Sequence, residues 1–258
     1  MDYGDIHYGV MKRKLIIIGN QGSIYENNYL PGVKKDVDNY LNFFGSANGG
    51  AWDDNEIVNR KFGWRVSLLR NLAMTLRMDG LDYVLVVFTG HGYAERNGDP
   101  YFELSSGEEI SLSSLLNLFP YQKMLLIADS CQGYLSEELH KSLNEVLAFA
   151  HGGSYHSRAE MKERYNRLIL NMNNRQKVMA AAASPGEYAR DSSKGGYYSR
   201  SLLSAAEYLK NRSSRPAVYT IEQVHSIAAS EVSRETRSRQ NPKLYPENII
   251  DYPPFLVV

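Results

Sequence analysis

At 258 residues with 43% hydrophobic content, the chain is long enough for one well-cored domain, and no polar linker divides it. Lysine plus arginine balance aspartate plus glutamate at 29 each, which excludes the broad single-sign field that gathers nucleic acid or anionic lipid. The single cysteine excludes an internal disulfide, no apolar run reaches the ~18 residues of a membrane span, and no basic-then-apolar leader opens the chain, so a cytoplasmic protein is expected.

Residues 1–13 carry turn formers without a hydrophobic period and read as a flexible lead, with one domain expected over 14–258. Leu15-Ile16-Ile17-Ile18-Gly19 is a continuous β-branched run, the pattern of a strand buried on both faces. Val33, Val37, Tyr40, Leu41 and Phe44 then fall at helix spacing, and Trp64, Leu68, Leu69, Leu72 and Leu76 form a second stripe. Tyr83 to Phe88 is the next buried strand, followed by a shorter helical stripe at Leu112, Leu115 and Leu116. Met124 to Ala128 is the third strand and Val178 to Ala183 the fourth. Between these two strands, residues 134–176 read as a helical insertion, with patterns at Leu135 to Phe149 and Arg158 to Met172 around His151-Gly152-Gly153-Ser154. A late helix is marked by Ile221, Val224, Ile227, Ala228 and Val232, and Phe255 to Val258 is expected to close the sheet. Strand and helix alternation of this kind implies an α/β sandwich with a mainly parallel sheet.

Two of the strands stop abruptly in small and reactive residues: Phe88-Thr89-Gly90-His91-Gly92 and Ala128-Asp129-Ser130-Cys131-Gln132-Gly133. Ligands of open α/β sheets gather outside the carboxyl ends of the strands, so the two segments can meet there. A thiolate is a strong nucleophile at neutral pH, and an imidazole beside it can hold the thiolate and later protonate a leaving amine. Gly92 and Gly133 let backbone approach a substrate, and the amides of Gly92 and Cys131 can receive a developing oxyanion without a metal. Each residue alone has a plainer reading, Cys131 as a small core residue and His91 as a turn residue or metal ligand. Their joint occurrence at two strand ends favours chemistry.

The order Thr-Gly-His-Gly at 89–92 and Asp-Ser-Cys-Gln-Gly at 129–133 resembles the caspase and metacaspase superfamily, and looks closer to metacaspases and bacterial caspase-like proteins than to animal caspases. Leu30 to Val37 resembles the family's segment after the first strand, and Gln240-Asn241-Pro242 its segment before the last, so the likeness runs from Lys14 to Val258. The resemblance implies a caspase-like three-layer sandwich around a mostly parallel sheet. It implies a cysteine endopeptidase with His91 and Cys131 as the dyad, and Gly92 with the Cys131 amide as the oxyanion hole.

Asp129 stands two residues before the nucleophile, where animal caspases have a glutamine in the pocket for an acidic side chain. A buried carboxylate repels aspartate and pairs with guanidinium or ammonium, so cleavage after arginine or lysine is expected. Metacaspases use positions resembling Asp36 and Thr89 in the same pocket. Ser184, in the run Ala183 to Glu187, follows the fourth strand where family members lay substrate backbone alongside the enzyme. The plainer readings are a solvated helix residue for Asp36 and, for Asp129, a cap of the helix near Leu135.

No metal or other cofactor is expected: many metacaspases use a calcium site of acidic loop residues, but Glu95, Asp99, Glu108 and Glu109 make no recognisable loop. The expected partners are protein or peptide substrates with a basic residue before the scissile bond, met by a monomer that an activating small molecule or partner protein releases from latency. Lys141, Arg158, Arg164, Arg167 and Arg175 supply sites for self-processing. Two other readings are a non-proteolytic caspase-like sensor or scaffold, and a Cys-His hydrolase of small molecules, which would need a closed, largely apolar pocket.

Overall fold

The computed structural model describes residues 11–95, 99–120, 122–132, 156–173, 176–246 and 249–258. Gly133, the helical pattern at Leu135 to Phe149, the segment His151 to Ser154, and Lys141 and Arg175 lie outside the described residues. The elements run β1 (Arg13–Asn20), α1 (Gly32–Gly45), α2 (Val66–Met78), β2 (Tyr83–Gly90), β3 (Gly92–Ala94), β4 (Pro100–Glu103), β5 (Glu109–Ser111), α3 (Leu112–Leu118), β6 (Lys123–Asp129), α4 (Arg158–Asn171), β7 (Lys177–Ala181), α5 (Tyr197–Arg212), β8 (Val218–Thr220), α6 (Ile221–Glu235), β9 (Lys243–Tyr245) and β10 (Pro254–Val257).

The central sheet has the order β1-β2-β6-β7-β9, with the first four strands parallel and β9 antiparallel to β7. Both faces are covered, which is why the strands are continuously apolar. Leu15, Ile17, Leu85, Val87, Leu125 and Ile127 face the layer of α1, α4, α5 and α6. Their neighbours Ile16, Ile18, Val84, Val86, Phe88 and Leu126 face α2, α3 and the small β3-β4-β5 sheet. Each such side chain stabilises the fold by about 1.5–3 kcal/mol relative to exposure.

Two expectations need correction, and one helix carries no mark in the sequence. Phe255 to Val258 does not close the central sheet: β10 pairs with β8 in a separate antiparallel ribbon, and the edge is β9. Phe255 is drawn into the helical layer instead, 4.9 Å from Phe43 between ring centroids, and the Val257 amide donates to Asn48. The fold also begins before Lys14. Met11 is buried, and Arg13 opens β1 with its guanidinium held by Glu56, Asn166 and the Gly50 carbonyl and stacked 4.2 Å over Trp52. A charge is buried only when it is paired in this way. Finally, α5 carries no clear stripe because serines and alanines, Ser199, Ser201, Ala205 and Ala206, fill much of its buried face.

Candidate active site

β2 and β6 are register partners up to the pair Thr89 and Asp129. His91 and Cys131 each follow two residues later, so both emerge from the carboxyl ends of adjacent strands. Gly90, at φ +151, makes the bend after β2, where a β-carbon would lie 2.5 Å from the Asn20 carbonyl. A β-carbon on Gly92 would lie 3.0 Å from that of Ser130, so the histidine and cysteine segments touch. The structure thus brings His91, Gly92 and Cys131 to one place at the carboxyl edge of the sheet.

His91 Nε2 is hydrogen-bonded to the Asn28 carbonyl in the loop between β1 and α1. A carbonyl only accepts, so Nε2 carries the proton and Nδ1 is the basic nitrogen. Cys131 Sγ donates to the Ala189 carbonyl at 3.5 Å. Burial pushes the thiol up to about 11, and the charges of Asp129, Glu103 and Asp191 add to it.

Thr89 and Asp129 continue the alternation of Leu85, Val87, Leu125 and Ile127 toward the α1 and α5 layer. Thr89 Oγ1 donates to Asp36 Oδ2 at 3.1 Å, and the Gly196 amide donates to the same oxygen at 2.9 Å. Asp129 Oδ2 accepts from the Ser199 amide at 2.9 Å. Both carboxylates therefore satisfy the first turn of α5. Asp129 does act as a helix cap, for α5; the pattern near Leu135 lies outside the described residues.

A third carboxylate completes the group. Asp191, in the loop before α5, accepts from the Gly32 amide at 3.0 Å, while its Oδ1 is buried without a hydrogen-bond partner. Burial raises Asp129 to about 6 and holds Asp36 well above the usual carboxylate range, with Asp129 adding repulsion to Asp36. Asp191 is raised by burial too, and opposed by bonds from Gly32 and Ser192 and by the charges of His91 and Arg200. Sequence reading missed both Asp191, which sits in a polar run with the look of an ordinary loop, and Asn28, whose contribution is a main-chain atom.

Ser184 is tied elsewhere. Its hydroxyl donates to the Asn241 carbonyl at 2.8 Å, and Glu187 accepts from the amides of Ser184 and Asn241. The same turn is bonded to the residue after the cysteine, Gln132 N to Glu187 O at 2.9 Å and Gly186 N to Gln132 O at 2.7 Å. Gln240, fully buried, grips both sides of this loop through the Ala182 carbonyl and the Arg190 amide, each at 3.0 Å. Of the acidic residues weighed for calcium, Glu108 accepts from the Val66 amide, Asp99 from Ser113 and Glu109 from Tyr93. Among the described residues no group of three or more histidine, cysteine or acidic side chains is placed to hold a metal. Nor is any helix among them long and apolar enough to cross a membrane.

The model of the caspase domain, a peptidase family, matches residues 12–252. The chain belongs to the caspase family. At family level this domain is a cysteine peptidase, a hydrolase acting on protein substrates. Among solved structures the caspase domain described here is similar to caspase-1 from Spodoptera frugiperda, with 13% identity over 95% of this chain and 88% of that one and a TM-score of 0.59. That likeness shows the caspase-like fold, with its central, mostly parallel sheet. No curated protein sequence matches.

Proposed function

We propose that the protein is a cysteine endopeptidase that cleaves after arginine or lysine. The observation that carries this reading is the set of three carboxylates, Asp36 and Asp129 buried and Asp191 half-buried, around the start of α5 beside the His91 and Cys131 segments. Like charges drawn together out of water repel, and the cationic end of a long side chain relieves both the repulsion and the empty valence of Asp191 Oδ1. An aspartate side chain would add a further like charge to this group.

In the reaction, Cys131 Sγ passes its proton to His91 Nδ1 and bonds to the substrate carbonyl carbon. The amides of Gly92 and Cys131 hold the oxyanion. The carbon–nitrogen bond then breaks, His91 gives the proton to the leaving amine, and water, deprotonated by His91, hydrolyses the thioester. The Asn28 carbonyl orients the imidazole throughout, as a carboxylate does in a serine triad.

The partly buried thiol, raised to about 11 and bonded to Ala189, supports a resting state that awaits a substrate or an activating signal. A working Cys131 has to stay reduced, which fits a reducing cytoplasm. Incubation of wild type and Cys131→Ala with fluorogenic peptides ending in arginine, lysine or aspartate tests the reading. Cleavage after the basic residues that is lost in the variant supports it, and cleavage after aspartate overturns the assignment of the pocket.

A further inference from the structure

The β3-β4-β5 sheet has one face in the core and one in the open. Ala94, Pro100, Phe102 and Ile110 are buried under it. The opposite face carries Tyr93 and Tyr101, which are register partners with rings stacked at 5.2 Å and 4°. Glu103 and Glu109, partners on β4 and β5, share this face, and the Tyr93 hydroxyl donates to Glu109 at 2.7 Å. Glu95, Asp99 and Glu109 hold the Tyr101 hydroxyl above its ordinary range, Glu95 most strongly, so a negative field covers the aromatic pair.

This face is continuous with the site. The Glu103 amide donates to the His91 carbonyl at 3.0 Å, which extends the ladder by one pair and places His91, Tyr93 and Glu95 on one side of the strand by alternation. Glu103 also lies close enough to Cys131 to raise its thiol. The carboxylate pocket proposed for the residue before the scissile bond, in contrast, belongs to the α1 and α5 layer, and the small sheet rests on the α2 and α3 layer. The two lie over opposite faces of the central sheet with the dyad between them.

Peptide hydrolysis gives this arrangement a direction. The acyl part stays on Cys131, and the leaving amine departs toward the imidazole that protonates it. The residues after the scissile bond therefore leave on the His91 side.

We propose that the outer face of β3-β4-β5 binds the segment after the scissile bond and selects basic side chains there, arginine above all. A guanidinium stacks on a tyrosine face while pairing with a carboxylate, and Tyr101 with Glu103 and Glu109 offers both at once. Tyr93 lies two residues beyond His91, about 7 Å along the strand, which sets the preference at the second or third position after the bond. The inference rests on the endopeptidase reading above.

Two measurements keep the proposal and that reading apart. The first compares internally quenched peptides with arginine before the bond and either arginine or glutamate at the second and third positions after it. Wild type cleaves the arginine form with kcat/KM higher by about tenfold or more. Glu109→Lys inverts the ratio, and Glu103→Gln reduces it. A ratio near one in wild type, or one that both variants leave alone, overturns the proposal. The second measures binding of a labelled peptide with three arginines, against one with three glutamates, to full-length Cys131→Ala by fluorescence anisotropy. Preferential binding of the arginine peptide that Glu109→Lys abolishes supports the subsite even if no peptide is cleaved, an outcome that would overturn only the endopeptidase reading. Equal binding of the two peptides overturns the subsite.

Discussion

Asp129 and Gly196 meet so closely that a β-carbon on Gly196 would lie 2.2 Å from Asp129 Oδ2. The end of β6 and the start of α5 are thus fitted to each other through a carboxylate, and the same contact caps the helix and fixes the position of a charge in the proposed pocket.

Gly196→Ala forces that carboxylate away from the Ser199 amide. The expected result is a loss of about 1–3 kcal/mol of stability, a fall of several degrees in Tm, and at least about a tenfold loss in cleavage of arginine peptides. Thermal melts and peptide kinetics on the same preparation check it, and an unchanged Tm with full activity would show that the helix start moves freely.

Asp129→Asn separates stability from function. Burial sets the folded pKa of Asp129 to about 6, against about 3.9 in the unfolded chain, so between these values the folded state holds the extra proton. Stability contributed by this group therefore falls as pH rises from about 4 to about 6, and the whole cost is present above that. The asparagine oxygen still accepts from Ser199 without the charge. The variant is expected to melt a few degrees above wild type at pH 7.5 and close to it at pH 4, while cleavage after arginine drops sharply. A lower Tm at pH 7.5 would contradict the burial argument.

Asp191→Asn removes the carboxylate whose Oδ1 has no hydrogen-bond partner. KM for arginine peptides should rise by about 10- to 100-fold, the loss expected of one partner in a desolvated charge pair. Arginine analogues with a neutral urea head should lose nothing in the same variant, and an equal loss for both would point to misfolding of the loop.

The resting thiol should be slow to alkylate. With its pKa at about 11, roughly one molecule in three thousand is thiolate at pH 7.5. The rate of labelling by iodoacetamide is expected to climb about tenfold for each pH unit from 7 to 10 without a plateau. A plateau near pH 8.5 would mean that the thiol is solvated rather than buried.

The four parallel strands of the central sheet and the two reactive strand ends, Asp129 among them, are legible in sequence because each is local: an apolar run, then small and reactive residues, whereas Asp36 is reached only through the family resemblance and the edge strand β9 is too short to establish a period. Asp191 is not, because its place depends on how a long loop folds back over α1 to meet Gly32. The β3-β4-β5 sheet escapes notice because its strands are three or four residues long, too short to establish a period. Gln240 and Asn241 are recognisable as a motif, but only the folded chain explains them, as a clamp on the loop from Ala182 to Arg190.

The imidazole's partner is the carbonyl of Asn28, an atom that every amino acid carries. Side-chain scanning passes over such a contribution, since truncating residue 28 leaves the oxygen behind. What is constrained is the path of the loop: Gly22, at φ +68, where a β-carbon would lie 2.4 Å from that oxygen, and the bond from the Leu30 amide to Gln21 at 2.7 Å. A requirement of the proposed dyad is written here in glycine placement and loop length, so the positions most sensitive to change need not be those with reactive side chains.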